Sequence, residues 1–221
     1  MARTRFSVAT FNLFNLNTPG VAMYTSPGWT EHQFKKKARW ITFQLRLLEA
    51  DVVGLQELWS REALERALAV TGDEADLSQV YDLLTTPDGA DGGAISCAAL
   101  VRKGLLVGEP EWIADFPDEV KLQSDNDPTD PAAPHIDVTI DQFSRPVLRF
   151  RVQPDPDDEP IEVFVVHLKS KLPTRIDREP WYVKEAFSAH AEALGAGIST
   201  IRRTAEAVAV RIMLTKVLKG S

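Results

Sequence analysis

Val52-Val53-Gly54-Leu55-Gln56-Glu57-Leu58 is the stretch on which the reading of the fold turns. Its opening residues carry no polar side chain, and a run this short and apolar suits a strand covered on both faces. The Gln56-Glu57 pair at its end is conspicuous. A carboxylate costs several kcal/mol to bury unless it is paired or bound to a metal. Upstream, Thr30 and Gln33 have the spacing of a capping box. Phe34, Ala38, Ile41, Leu45 and Leu48 then recur at three- and four-residue steps, which predicts an amphipathic helix from Thr30 to Ala50, closed by Asp51. Lys35, Lys36, Lys37 and Arg39 fall mostly outside its apolar stripe and read as its wet face, with steering of nucleic acid or an anionic membrane as the sharper alternative. Before this helix, Arg5 to Leu13 reads as a strand and Asn15 to Trp29 as a turn-rich connection. After Leu58, Ser60 can cap a second helix reaching about Val70, with Gly72 beyond its end.

From Val80 onward the pattern is mostly strand. Tyr81 to Thr85 and Ala94 to Arg102 form a candidate hairpin, and Leu105 to Phe116 a further strand interrupted by Pro110. Pro117 to Pro134, rich in Asp and Pro, reads as an exposed loop. Pro146 to Val152 and Ile161 to Leu168 make a second hairpin across the acidic insert Pro154 to Pro160, which reads as a solvated turn. A basic loop, Lys169 to Trp181, leads to a helix whose apolar face is Ala205, Val208, Ile212 and Val217, with Gly195 and Gly197 breaking or bending an earlier piece. Strand, helix, strand, helix, then hairpins and a helix predict a mixed α/β chain with a partly antiparallel sheet.

Composition narrows the function classes. The 221 residues carry a net charge of -7, with 44% hydrophobic and 26% charged residues, which excludes collagen-like, coiled-coil and wholly disordered chains and argues against a generally basic coat for nucleic acid. Cys97 is the only cysteine, so no intrachain disulfide or paired-cysteine zinc site can form. No apolar run approaches the roughly 20 residues of a membrane span, and the opening residues lack a signal-peptide core. The expectation is a soluble, cytoplasmic, single-domain protein with no transmembrane segment; the oligomeric state is left open.

Three polar groups close apolar strands: Asn12 in Ala9-Thr10-Phe11-Asn12-Leu13, Glu57, and His167 in Phe164-Val165-Val166-His167-Leu168-Lys169-Ser170. Strand ends are where ligand sites collect in α/β sheets, and a carboxylate beside an amide suits a hard cation such as magnesium. Taken singly, each reads first as a strand meeting solvent. Together and in this order, Ala9 to Leu16, Gly54-Leu55-Gln56-Glu57 and His167-Leu168-Lys169-Ser170-Lys171 resemble the first-strand, Gln-Glu and histidine motifs of the endonuclease/exonuclease/phosphatase superfamily. Phe143-Ser144-Arg145-Pro146 is similar to the segment preceding the histidine strand in bacterial nuclease-like members. The resemblance implies an α/β (α+β) four-layer sandwich of two packed, mixed but mostly antiparallel sheets flanked by helices.

It also implies that Glu57 and Asn12 serve a catalytic Mg2+ or Mn2+ ion, with Glu57 as ligand and Asn12 orienting the phosphate or metal-bound water. His167 would contact the scissile phosphate. Lys169, Lys171 and Arg145 are the candidate substrate-phosphate contacts, with solvated lysines and pairing of Arg145 to acidic residues as the plainer alternatives. The implied activity is phosphodiesterase or nuclease chemistry on nucleic acid or another phosphoester. A phospholipid or inositol-phosphate substrate, or a non-catalytic phosphate-binding domain, stands as the alternative. The family's later Gly-Asp-x-Asn and Ser-Asp-His motifs do not occur here, and Arg145 stands where many members have a Glu supporting the histidine. The expectation is therefore one domain over residues 1–221, equivalent to the N-terminal two-thirds or so of the family's domain, with Asp137 or Asp141 as candidate partners of His167. Trp181, beside Arg175 and Arg178, is a candidate for base stacking.

Overall fold

The computed structural model describes residues 5–69, 76–87, 91–124 and 135–220. The chain divides into two compact units, Met1–Ile113 with Arg145–His167, and Ala114–Ser144 with Leu168–Ser221.

In the first unit, β1 (Val8–Leu16) lies parallel to β2 (Val52–Ser60), and between them comes α1 (Glu31–Leu48). The capping box forms: the Thr30 hydroxyl accepts from the Gln33 N–H, and the Gln33 side chain accepts from the Thr30 N–H. The helix stops where Glu49 turns left-handed, so Leu48 is largely exposed rather than part of the face. Ser60 caps α2 (Arg61–Leu68) through the Ala63 N–H; the expected end at Gly72 lies outside the described residues. β3 (Tyr81–Leu84) and β4 (Asp91–Arg102) form the predicted antiparallel hairpin and complete a mixed sheet of order β1-β2-β4-β3. The second sheet has the order β5-β8-β9, built from β5 (Leu106–Asp115), β8 (Gln142–Val152) and β9 (Ile161–Val165), with β8 and β9 antiparallel. β5 runs through Pro110 without a break, because an edge strand can place a residue lacking an N–H away from the ladder.

The layers follow from side-chain alternation. On β2, Val53 and Leu55 join α1 and α2 in one core, while Val52 joins Cys97, Ala99 and Val101 of β4 against Leu148, Phe150 and Val152 of β8 and Val165 of β9. Helices, mixed sheet and second sheet are thus stacked in that order, with β2 covered on both faces. The chain is α+β, with mixed and antiparallel sheets and helices.

In the second unit, β6 (Gln123–Ser124), inside the Pro117 to Pro134 stretch expected to be loop, pairs antiparallel with β7 (Ile136–Asp137) just beyond it; residues 125–134 lie outside the described residues. A short α3 (Lys184–Phe187) precedes α4 (Ala191–Lys219), a single long helix. Gly195 does not break it, nor does Gly197. At Gly195 a Cβ would lie 2.3 Å from the Thr174 carbonyl oxygen, so the glycine serves a close crossing, and the Thr174 N–H donates to the Gly195 carbonyl. The buried face of α4 is Gly195, Ser199, Ala205, Glu206, Ala209 and Met213; Val208 and Ile212, expected there, are only half-buried because the face is rotated by about one position. No helix among the described residues is long and apolar enough to cross a membrane.

Candidate active site

Two irregularities in the mixed sheet build the site. Leu13 and Leu16 of β1 both enter the helix-side core, as do Leu55 and Leu58 of β2. Residues three apart cannot share a face of a regular strand, so each strand carries an extra residue and the register shifts between Asn12 and Leu16 and between Leu55 and Leu58. The slack is taken up by left-handed backbone at Phe14 (φ 50°), Asn15 (φ 56°) and Glu57 (φ 61°). Non-glycine residues held there cost roughly 1–3 kcal/mol each, and such strain gathers at functional sites.

The bulges turn polar groups onto the Glu57 carboxylate. The Asn12 Nδ2 donates to Glu57 Oε1 at 3.0 Å, and the Asn15 backbone N–H donates to Oε2 at 3.1 Å. Asn12 is itself fixed by the Phe14 N–H, which donates to its Oδ1 at 2.8 Å. Asn15 is braced from two sides, by the Trp59 indole N–H on its Oδ1 and the Trp29 indole N–H on its carbonyl. From the second sheet, His167 follows β9 and places Nε2 3.9 Å from Glu57 Oε1. What brings it close is Gly54: a Cβ there would lie 3.1 Å from Val165 Cγ2 and 3.3 Å from Cγ1, so β9 approaches β2 over a missing side chain. Thr10 and Gln56 are hydrogen-bonded to each other alongside.

Lys37 is the residue that the pattern of the sequence did not single out. Its Nζ donates to the Phe14 carbonyl at 2.9 Å and lies 5.2 and 4.8 Å from the ring centres of Phe14 and Trp29. Partial burial lowers its pKa to about 8, opposed by the Glu57 charge, which raises it. Spacing alone does not reveal it: Lys37 lies three residues after Phe34 and four before Ile41, at the edge of the apolar stripe, wherever its head points.

Asn12, Glu57 and His167 therefore come together, with Glu57 as the carboxylate within ion-pair reach of His167. Arg145, half-buried near the start of β8, acts electrostatically on Cys97, whose sulfur also receives the backbone N–H of His167. Cys97 is wholly buried, and that burial pushes its thiol up to about 12, so it packs as a small apolar residue. Lys169 and Lys171 belong to the second unit. There the Lys169 backbone N–H donates to the buried Glu206 and its Nζ to the Leu172 carbonyl, while Lys171 is exposed. Glu206, which also accepts the Ser144 N–H, had no sequence signal beyond its place on α4. Trp181 is half-exposed and stands edge-on to Phe187.

No protein-family model matches the sequence, and no curated protein matches it. Among solved structures, it is similar to a humanized D. rerio TDP2 carrying 14 mutations and to D. rerio TDP2 complexed with single strand DNA product. Both are 17% identical with a TM-score of 0.40, over 72% and 73% of this chain. The chain spans 45% of the length of each.

Among the described residues no three His, Cys, Asp or Glu side chains gather as a metal cage. The donor set at Glu57 is one carboxylate whose two oxygens each keep a lone pair beyond the N–H they accept. That is too sparse for zinc or calcium, but it fits magnesium, which keeps several waters and takes one or two carboxylates together with substrate phosphate.

Proposed function

We propose that this protein is a metal-dependent phosphoester hydrolase of the endonuclease/exonuclease/phosphatase type, a phosphodiesterase acting on nucleic acid. The observation that carries the reading is the convergence of Asn12 on β1 and His167 just after β9 on the Glu57 carboxylate of β2, which is held by two N–H donors. Glu57 would hold a magnesium or manganese ion, which when bound supplies positive charge at the phosphoryl oxygens and acidifies water. Asn12 and the Asn15 N–H fix the carboxylate in advance, so that little reorganisation accompanies the reaction. His167, whose Nε2 lies 3.9 Å from Glu57 Oε1, would donate a hydrogen bond from Nε2 to a phosphoryl oxygen. Lys37 adds a cationic group beside the carboxylate, and Arg145 would contact a substrate phosphate.

The test is nicking of supercoiled plasmid by the full chain with magnesium, with phosphorylated lipids assayed in parallel. Glu57→Gln keeps the shape and removes the charge, and we expect it to lower the rate by about a hundredfold or more, the scale of losing one electrostatic or acid–base group. Equal nicking by wild type and Glu57→Gln, or none by either, refutes the reading; turnover of the lipids alone moves the substrate class.

A further inference from the structure

Beside the carboxylate lies a cleft of about 480 Å3 whose walls include Phe14, Asn15, Met23, Tyr24 and Trp29. Asn15 belongs to both places: its N–H holds Glu57 while its side of β1 lines the cleft. Phe14 is 68% exposed and Tyr24 70% exposed, and each is held at a left-handed φ, 50° and 54°. Neither residue recovers that strain by burying its ring. Tyr24 is lifted by a tight turn in which Met23 and Ser26 exchange backbone hydrogen bonds, and its ring meets Trp59 edge-on at 5.0 Å. Exposed aromatic rings held by strained backbone at the mouth of a site indicate a surface built for a flat partner.

The charge in the cleft selects among flat partners. Aromatic walls could also cage a quaternary ammonium headgroup, but Lys37 Nζ already lies against the Phe14 and Trp29 rings and would repel a second cation. An ammonium beside exposed ring faces suits instead a neutral π-system tethered to phosphates, which is the composition of an unstacked nucleotide. We propose that Phe14, Tyr24 and Trp29 form a stacking subsite for an unpaired base of a nucleic-acid strand whose phosphodiester lies at Glu57 and His167. The substrate class is thereby single-stranded or frayed nucleic acid rather than intact duplex. This rests on the phosphoesterase reading only for what happens at Glu57; base stacking is measurable without turnover.

The experiment measures binding to the full chain, in EDTA, of fluorescein-labelled oligo-dT and of an equal-length abasic tetrahydrofuran strand, which keeps the phosphodiesters but has no base to stack; magnesium-dependent diester hydrolysis is measured separately as plasmid nicking. Stacking on one aromatic side chain is worth about 1–3 kcal/mol, so Tyr24→Ala and Phe14→Ala should each weaken oligo-dT binding at least about fivefold. Tyr24→Trp should retain binding, and Tyr24→Ala should narrow the gap in affinity between oligo-dT and the abasic strand. Tyr24→Gly, free of strain at positive φ, repeats the loss without a folding penalty. Unchanged oligo-dT affinity in both alanine variants, or no oligo-dT binding at all, overturns the subsite. Binding of phosphatidylcholine vesicles that depends on Tyr24 while oligo-dT binding does not also overturns it. Strand binding that depends on the aromatics without any diester hydrolysis supports the subsite and instead refutes the hydrolase reading.

Discussion

Gly54→Ala tests whether the close approach of the two sheets sets the site. The new methyl would lie 3.1 and 3.3 Å from the two Val165 methyls, against an ordinary carbon–carbon separation of about 3.5–4.0 Å. Something must yield by a few tenths of an ångström within a core that is covered on both faces. Overpacking of this kind costs about 1–3 kcal/mol, and replacing a strand glycine returns about 0.5–1 kcal/mol of backbone entropy, leaving a net loss of about 1 kcal/mol. Val165→Ala alone removes two buried methyl carbons and should cost about 2 kcal/mol. In the double variant the methyl added at 54 occupies space vacated at 165. The combined loss should therefore fall short of the sum by about 1 kcal/mol, read as urea midpoints at constant slope. Because Val165 is two residues from His167, Gly54→Ala should also lower phosphodiester hydrolysis severalfold, and the double variant should recover it. Additivity within about 0.5 kcal/mol refutes the packing argument. A destabilised Gly54→Ala with unchanged hydrolysis refutes the claim that this packing positions His167.

Two further perturbations probe single groups. With its pKa lowered from 10.5 to about 8, Lys37 should react with trinitrobenzenesulfonate along a pH profile with a midpoint near 8, and Glu57→Gln, which removes the charge that raises it, should move that midpoint lower; an upward shift or none contradicts the assignment. Between about pH 8 and 10.5 the unfolded chain keeps a proton that folded Lys37 has released, so this group's cost to stability is full below 8 and is relieved as pH rises across that window, which Lys37→Met should abolish in a comparison of urea midpoints at pH 7.5 and 10. Glu206 accepts the backbone N–H groups of Ser144 and Lys169 while almost wholly buried, so Glu206→Ala strands two donors and should cost about 2–6 kcal/mol in chemical unfolding, whereas a loss under about 1 kcal/mol would mean those donors find other partners.

The elements that the sequence displayed most openly are those whose patterns are local. The Thr30 capping box, the Phe34 to Leu45 stripe, the doubly covered β2 and both hairpins need only periodicity and turn chemistry. Asn12, Glu57 and His167 were legible as polar groups ending apolar strands. Lys37 was not, since a lysine beside an apolar stripe has the same spacing whether its head reaches water or curls back over Phe14. Gly195 misled because a glycine inside a helical pattern has the same signature whether it bends the helix or admits a crossing chain, and only the position of Thr174 distinguishes them. The rotation of the buried face of α4 has a similar origin: Glu206 lies inside it, and no periodicity of apolar residues marks a buried carboxylate that accepts two backbone donors.

The two bulges explain why the site can be formed before any ligand arrives. Burying Leu16 and Leu58 in the same core as Leu13 and Leu55 removes two further large side chains from water, each worth about 1.5–3 kcal/mol. That gain is available only if Phe14, Asn15 and Glu57 adopt left-handed backbone, at roughly 1–3 kcal/mol apiece. The same local turn that admits Leu58 to the core aims the Glu57 carboxylate, and the turn that admits Leu16 aims the Asn15 N–H at it. Strain and burial are of comparable size here and are coupled through shared residues. The orientation of the carboxylate is thus a consequence of packing, and a change that shortened the Leu55–Leu58 spacing by one residue would relax the backbone and disperse the site together.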